Sequence, residues 1–162
     1  MAHFPDYAKK YLLTGLSATP DVFEALLERI GPADKVWNFT PDPQRFTLRA
    51  VVAHVTDWDG IFLERIIRTR DEDEPKIDDV DEGKVAIDND YPNSDPIANL
   101  GRFRATREIL IQTLRDLDPT HWNRVAHRHF GPITILHQTV LILGHDGYHT
   151  QQVTQWLAAA GK

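Results

Sequence analysis

Along most of the chain, apolar residues recur at intervals of three and four, the mark of helices with one buried face. Over residues 6–30 they are Tyr7, Tyr11, Leu12, Leu16, Val22, Phe23, Leu26, Leu27 and Ile30, and Gly31-Pro32 closes the run. Pro20 falls inside it, which predicts a kink or two pieces, with Thr19 capping the second piece and Pro20 in its first position. A second helix is predicted over residues 48–69 behind a Thr47 cap, with Val51, Val52, Val55, Trp58, Ile61, Phe62, Arg65 and Ile66 on its buried stripe. His54 falls on that stripe as well. The third starts at Ser94 or Asp95, with Pro96 in first position, and runs through Leu100, Phe103, Arg107, Leu110 and Leu114 until Asp118-Pro119 ends it. The fourth runs from a Thr134 cap to about residue 160, with Gly161 beyond its end. Residues 37–45 and 120–132 have the chemistry of loops, and no segment carries strand alternation. Four amphipathic helices joined by two short links and one long one predict an all-α four-helix bundle, read as one domain over residues 1–162.

Charge changes the picture in one place. Residues 71–90 hold ten acids against two lysines, a charge of −8, which leaves +2 for the rest of a chain whose total is −6. So long a connection reads either as a solvated spacer between two helix pairs or as a lid over a site. No calcium-loop register of acids appears in it. The acidic balance argues against a nucleic-acid partner. Cysteine is absent, which excludes disulfides, iron–sulfur clusters, zinc ribbons and thiol nucleophiles. A metal would have to use His, Asp or Glu. Residues 1–10 show no signal-peptide core, and no run of apolar residues is long enough to span a membrane, so a cytoplasmic protein is expected.

The sharpest chemistry is His145-Asp146-Gly147-Tyr148-His149 on the fourth helix. Residues four apart stack on one face, so two imidazoles can converge on one ion. Eight histidines in the chain give roughly one-third of such a pair by chance, so position must sharpen the signal. His137, Leu141, His145, Tyr148, Gln152 and Trp156 predict an inward stripe, and inward imidazoles are costly unless hydrogen-bonded or metal-bound. His54 comes from a facing helix. Helices pack ~8–10 Å apart, a gap that imidazoles with metal–nitrogen bonds of ~2 Å can bridge. Taken singly, a core histidine satisfied by a backbone carbonyl is the commoner case; the three together on inward faces point to a metal.

Several neighbours carry two readings. Gln152 could orient a water or ligand, or bond a neighbouring helix. Asp57, one turn past His54, could accept a proton from a ligand imidazole, or pair with an arginine. Asp146 is turned about 100° from His145 and reads as a packing or interface residue. Trp58 and Tyr148 are expected to line a cavity. His127 and His129 read as surface residues, and His137 lies too far from His145 to share its ion. Arg65 and Arg107 face inward and could pair with acids or hold a substrate carboxylate.

The run Leu48-Arg49-Ala50-Val51-Val52-Ala53-His54-Val55-Thr56-Asp57, with Phe62 to Arg65 after it, resembles the second-helix motif of the DinB-like metal-binding proteins. His129 to Thr134, followed by Gly144 to Gln152, resembles that family's last helix, whose pattern is H-D-x-x-H-x-x-Q. The leading Leu12 to Leu16 helix and the Pro119-x-x-Trp122 step extend the likeness over nearly the whole chain. The resemblance implies an antiparallel four-helix bundle whose longest crossover joins the second and third helices. It also implies a divalent metal, zinc or nickel, held by His54, His145 and His149, in a protein that forms homodimers. Metal-dependent thiol S-transferases or hydrolases are the activities implied, through a metal-bound water or thiol. The alternative is a non-enzymatic, stress-associated dimer whose metal is structural or binds a small ligand.

Overall fold

Three of the four long helices begin by one device, a side-chain oxygen accepting a backbone N–H from the first turn. Thr47 accepts from Ala50, Asp95 from Ile97 and Ala98, and Thr134 from His137. The computed structural model describes residues 5–162; residues 1–4, part of the stretch read for a leader, lie outside it. Its elements are α1 (Asp6–Leu27), α2 (Leu48–Asp71), α3 (Glu82–Asp88), α4 (Pro96–Arg115), β1 (Val125–Arg128), β2 (Gly131–Thr134) and α5 (Ile135–Ala159). No helix among the described residues is long and apolar enough to cross a membrane.

The bundle is built from α1, α2, α4 and α5, with α4 and α5 each packed against both α1 and α2. Bonded pairs give the directions. His54 meets His145 while Thr69 meets Gln138, so α2 and α5 are antiparallel. Thr56 meets Asn99 while Asp59 meets Arg107, so α2 and α4 run parallel. Parallel neighbours require the chain to travel back along the bundle, and α2, with 24 residues, is about 36 Å long. That return is the long acidic crossover.

The crossover is not structureless. His127 donates its backbone N–H to Pro75, and Ile77 donates to His127, tying the first part to a hairpin. Further on, α3 buries Ala86, and Tyr91 just after it packs with Ala50 and Ala53 of α2. The hairpin itself corrects the sequence expectation of loop: β1 and β2 pair antiparallel from Val125↔Thr134 to Arg128↔Gly131. Strands of four residues, one of them holding Pro132, are too short for alternation to declare itself. Gly131 at φ +115° takes a backbone conformation that L side chains rarely adopt, directly after the two-residue turn.

Two apolar clusters fill the bundle. One holds Phe23, Val52, Val55, Phe103, Val153 and Trp156; the other holds Leu16, Ile66, Leu110, Leu114 and Ile142. Between them lies a polar layer with one member from each helix: Thr19, Asp59, Arg107 and Asp146, all buried. Arg107 donates Nε and Nη2 to Asp59 at 2.9 and 2.6 Å, and Nη1 and Nη2 to Asp146 at 2.5 and 2.8 Å. Thr19 donates its hydroxyl to Asp146 at 2.7 Å.

This layer also explains α1. Of the two outcomes expected at Pro20, a kink or two pieces, the division into two does not occur: α1 runs through it as one helix, and Thr19 is a helical residue rather than a cap. A proline has no N–H to offer the carbonyl four residues back. That carbonyl, Leu16 C=O, accepts instead from Arg107 Nη1 at 2.9 Å.

Candidate metal centre

His54 stands at the end of the second turn of α2, and His145 and His149 occupy successive turns of α5, directly across the antiparallel contact. One ligand atom from each of the three rings lies within 4.8 Å of the others. His54 Nε2 and His145 Nε2 are 3.0 Å apart, and the His145 and His149 ring centres are 4.4 Å apart. Among the described residues this is the one group of three or more His, Cys, Asp or Glu side chains so placed.

The face of α5 differs from the predicted stripe. The buried positions are Ile135, Gln138, Thr139, Ile142, Asp146, His149, Gln152, Val153, Trp156 and Leu157. His137, Leu141 and Tyr148 are exposed, and His145 is half-buried at the edge. Apolar residues occur almost all round α5, so the direction of burial is set by partners. Asp146 faces Arg107, and that rotation carries His145 and His149 toward α2.

Each ring is held from outside. His149 Nδ1 lies 2.8 Å from Gln152 Oε1, an acceptor, so the proton sits on Nδ1 and the Nε2 lone pair is free. Gln152 therefore orients an imidazole. Trp58 stacks on His54 with ring centres 4.4 Å apart, Phe46 lies 5.6 Å from the same ring, and Phe62 stands edge-on to His145 at 5.3 Å. His54 Nδ1 is buried without a hydrogen bond, and the nearest carboxylate is Glu82 Oε1 at 3.6 Å. Asp57 does not serve His54: Asn89 Nδ2 bonds it at 2.7 Å and Arg102 pairs with it at 3.1 Å.

Burial drives all three imidazoles toward the neutral form, because a charged ring loses hydration there. It pushes the His54 pKa down to about 3, with His149 adding to the effect. His145 falls to about 2 through burial, helped by His149, His54 and Arg107. His149 is also lowered by burial, against the opposing pull of Gln152 and Asp146. Neutral imidazole is the form that ligates. The donor set, with His54 and His145 turning Nε2 toward one another and His149 keeping its Nε2 lone pair free, fits a divalent cation.

The rings form one wall of an open cavity of about 370 Å³, lined also by Trp58 and Tyr148 as expected, and by Gln44, Arg45, Phe46, Glu82 and Gln152. Other candidates lie elsewhere. His127 is exposed and pairs with Glu74, while His129 contacts Asp79. Arg107 is committed to its two aspartates and offers nothing to a substrate. Sequence reasoning missed Glu82 and Asp59. Asp59 had a signal, an acid at an apolar-stripe position between Val55 and Ile66; Glu82, one of ten acids in the crossover, had none. A carboxylate behind a ligating histidine typically sustains metal affinity, so Glu82→Gln is expected to weaken cation binding about 10-fold or more, read by competition with a chelator. An unchanged affinity would show that Glu82 takes no part.

An all-α bundle with imidazoles converging at the edge of a cavity defines a metal-binding class of helical protein. The sequence profile of the DinB superfamily matches residues 16–153, and the chain belongs to that superfamily. Its fold is that of YfiT from Bacillus subtilis, described as a probable metal-dependent hydrolase with an unusual four-helix bundle topology. The two superpose with a TM-score of 0.90 over 99% of this chain and 92% of that one, at 20% sequence identity. A search of curated proteins returns no match.

Proposed function

We propose that His54, His145 and His149 bind one divalent cation, zinc or nickel, and that the protein is a metal-dependent enzyme of the hydrolase or thiol S-transferase type. The observation that carries this reading is the convergence of three imidazoles beside an open cavity. Structural metal sites are closed by four protein ligands, whereas catalytic ones keep a position open. Three ligands beside a cavity favour the catalytic kind over the non-enzymatic alternative. Bound there, the cation would act as a Lewis acid, bringing a coordinated water or thiol toward ionisation near neutral pH. The chain's own part is to fix the three rings, to hold His149 Nδ1 through Gln152, and to wall the site with Phe46 and Trp58. The description of YfiT supports the hydrolase branch. The homodimer belongs to the same proposal and rests on the family resemblance.

Elemental analysis of protein purified without an affinity tag is expected to give about one divalent ion per chain. His149→Ala should lower that content at least tenfold, and His127→Ala should leave it unchanged. Activity against thiol–electrophile pairs and simple esters or amides should vanish on chelation and return with metal. A wild-type protein free of stoichiometric metal would overturn the reading, as would loss of metal in the His127 variant.

A further inference from the structure

The cavity beside the three histidines holds one cation of its own, Arg45. Arg68, Arg70, Arg102, Arg104, Arg107 and Arg128, half of the twelve arginines of the chain, are spoken for by acids, each pairing with a carboxylate. Among the described residues Arg45 pairs with no carboxylate; like Arg49 and Arg124 it is held by neutral groups, but it alone of these lines the cavity. Its Nη2 donates to the Tyr148 hydroxyl at 2.5 Å, and its guanidinium carbon lies 4.7 Å from the Trp156 ring centre and 5.6 Å from that of Tyr148.

The mounting is firm. Arg45 donates its backbone N–H to Asp42 C=O at 3.0 Å, and the next residue, Phe46, accepts at its carbonyl from Trp156 Nε1 at 2.9 Å. Thr47 then caps α2. Tyr148, which receives the guanidinium, stands edge-on to His149 with ring centres 4.9 Å apart. A planar fork of N–H donors, pre-positioned on aromatic faces and lacking an acid, is suited to a carboxylate, and little ordering entropy remains to be lost on binding. Glu82, the cavity's carboxylate, stands against His54, and no ion pair joins it to Arg45.

We propose that Arg45 is the anion-recognition residue of this cavity, and that its substrates are small molecules whose carboxylate pairs with Arg45 while their reacting group lies against His54, His145 and His149. This assignment rests on the cation site proposed above. Phe46 and Trp58 would pack the apolar body between the two ends.

The test uses nickel-loaded protein, with metal content measured for every variant. The probes are ω-mercaptocarboxylates of increasing chain length, each paired with its carboxamide, and binding is followed by the sulfur-to-nickel charge-transfer absorption. In the wild type, the best-fitting acid should bind about tenfold or more tightly than its amide. Arg45→Gln should bind acid and amide alike while retaining its nickel, and Arg45→Lys should keep part of the preference. The acid–amide comparison on wild type needs no variant to fold. Equal affinities at every chain length in nickel-loaded wild type would overturn the role of Arg45 and leave the cation site standing. Failure of the wild type to take up either nickel or zinc would overturn both.

Discussion

Arg107→Met is expected to lower the unfolding free energy by about 3–5 kcal/mol, the usual cost of leaving a buried charge without its partner. The substitution would strand two carboxylates, Asp59 and Asp146, in the middle of the bundle, with Thr19 the remaining donor to Asp146. It would also orphan Leu16 C=O, because Pro20 has no N–H to take over. Urea denaturation is the measurement, and a loss below about 1 kcal/mol would show that the layer contributes little. Burial already pushes the Asp59 pKa up to about 6, against the opposing bonds from Arg107. Replacing the arginine together with both aspartates by apolar residues of similar volume should cost far less than Arg107→Met alone, since no charge is left unpaired. That triple variant separates the cost of an orphaned charge from the value of the ion pairs themselves. It should also misplace the histidines, because Asp146 fixes the rotation of α5.

Acid should destabilise the metal-free protein well above the pH at which carboxylates usually matter. In the unfolded chain an imidazole protonates near 6.5. Folded, His54 and His145 stay neutral to about 3 and about 2. Between those limits the unfolded state binds more protons, so stability falls as the pH drops below 6.5. By pH 5 the loss is on the order of 2 kcal/mol for each of these rings, at ~1.4 kcal/mol per pKa unit. Asp59 acts in the opposite sense. Its folded pKa is raised, so its contribution is present at low pH and lost as the pH rises through about 6. Going from pH 6.5 to 5 it returns about 1 kcal/mol, less than the histidines remove. Calorimetry of chelated protein should therefore show Tm falling on the order of 5–10 °C between pH 7 and 5. The double variant His54→Asn, His145→Asn should flatten that slope; a wild-type Tm that does not move would contradict the burial of neutral rings. With a cation present the same acidification should release it, because a protonated imidazole cannot ligate.

Local chemistry made much of the fold readable in advance. Thr47, Asp95, Thr134 and Gly161 mark helix ends by what their own side chains or backbones can do, and the structure uses them as expected. Helical spacing was enough to stack His145 on His149, and the apolar stripe of α2 was enough to turn His54 inward. These are one-dimensional facts: a cap needs only its neighbours, and a helix repeats every 3.6 residues whatever surrounds it. What lay beyond the sequence was every decision that depends on a partner from another element. Pro20 would break an isolated helix, yet α1 continues because Arg107 of α4 supplies the missing donor. The face of α5 could not be read from its nearly uniform hydrophobicity, since a pair of charges, Asp146 with Arg107, decides which side is buried. Glu82 and Arg45 come to the histidines from a crossover and a connecting loop, where no periodicity records direction. Such positions are set by contacts between residues distant in the chain, and only the folded arrangement brings those residues within reach of one another.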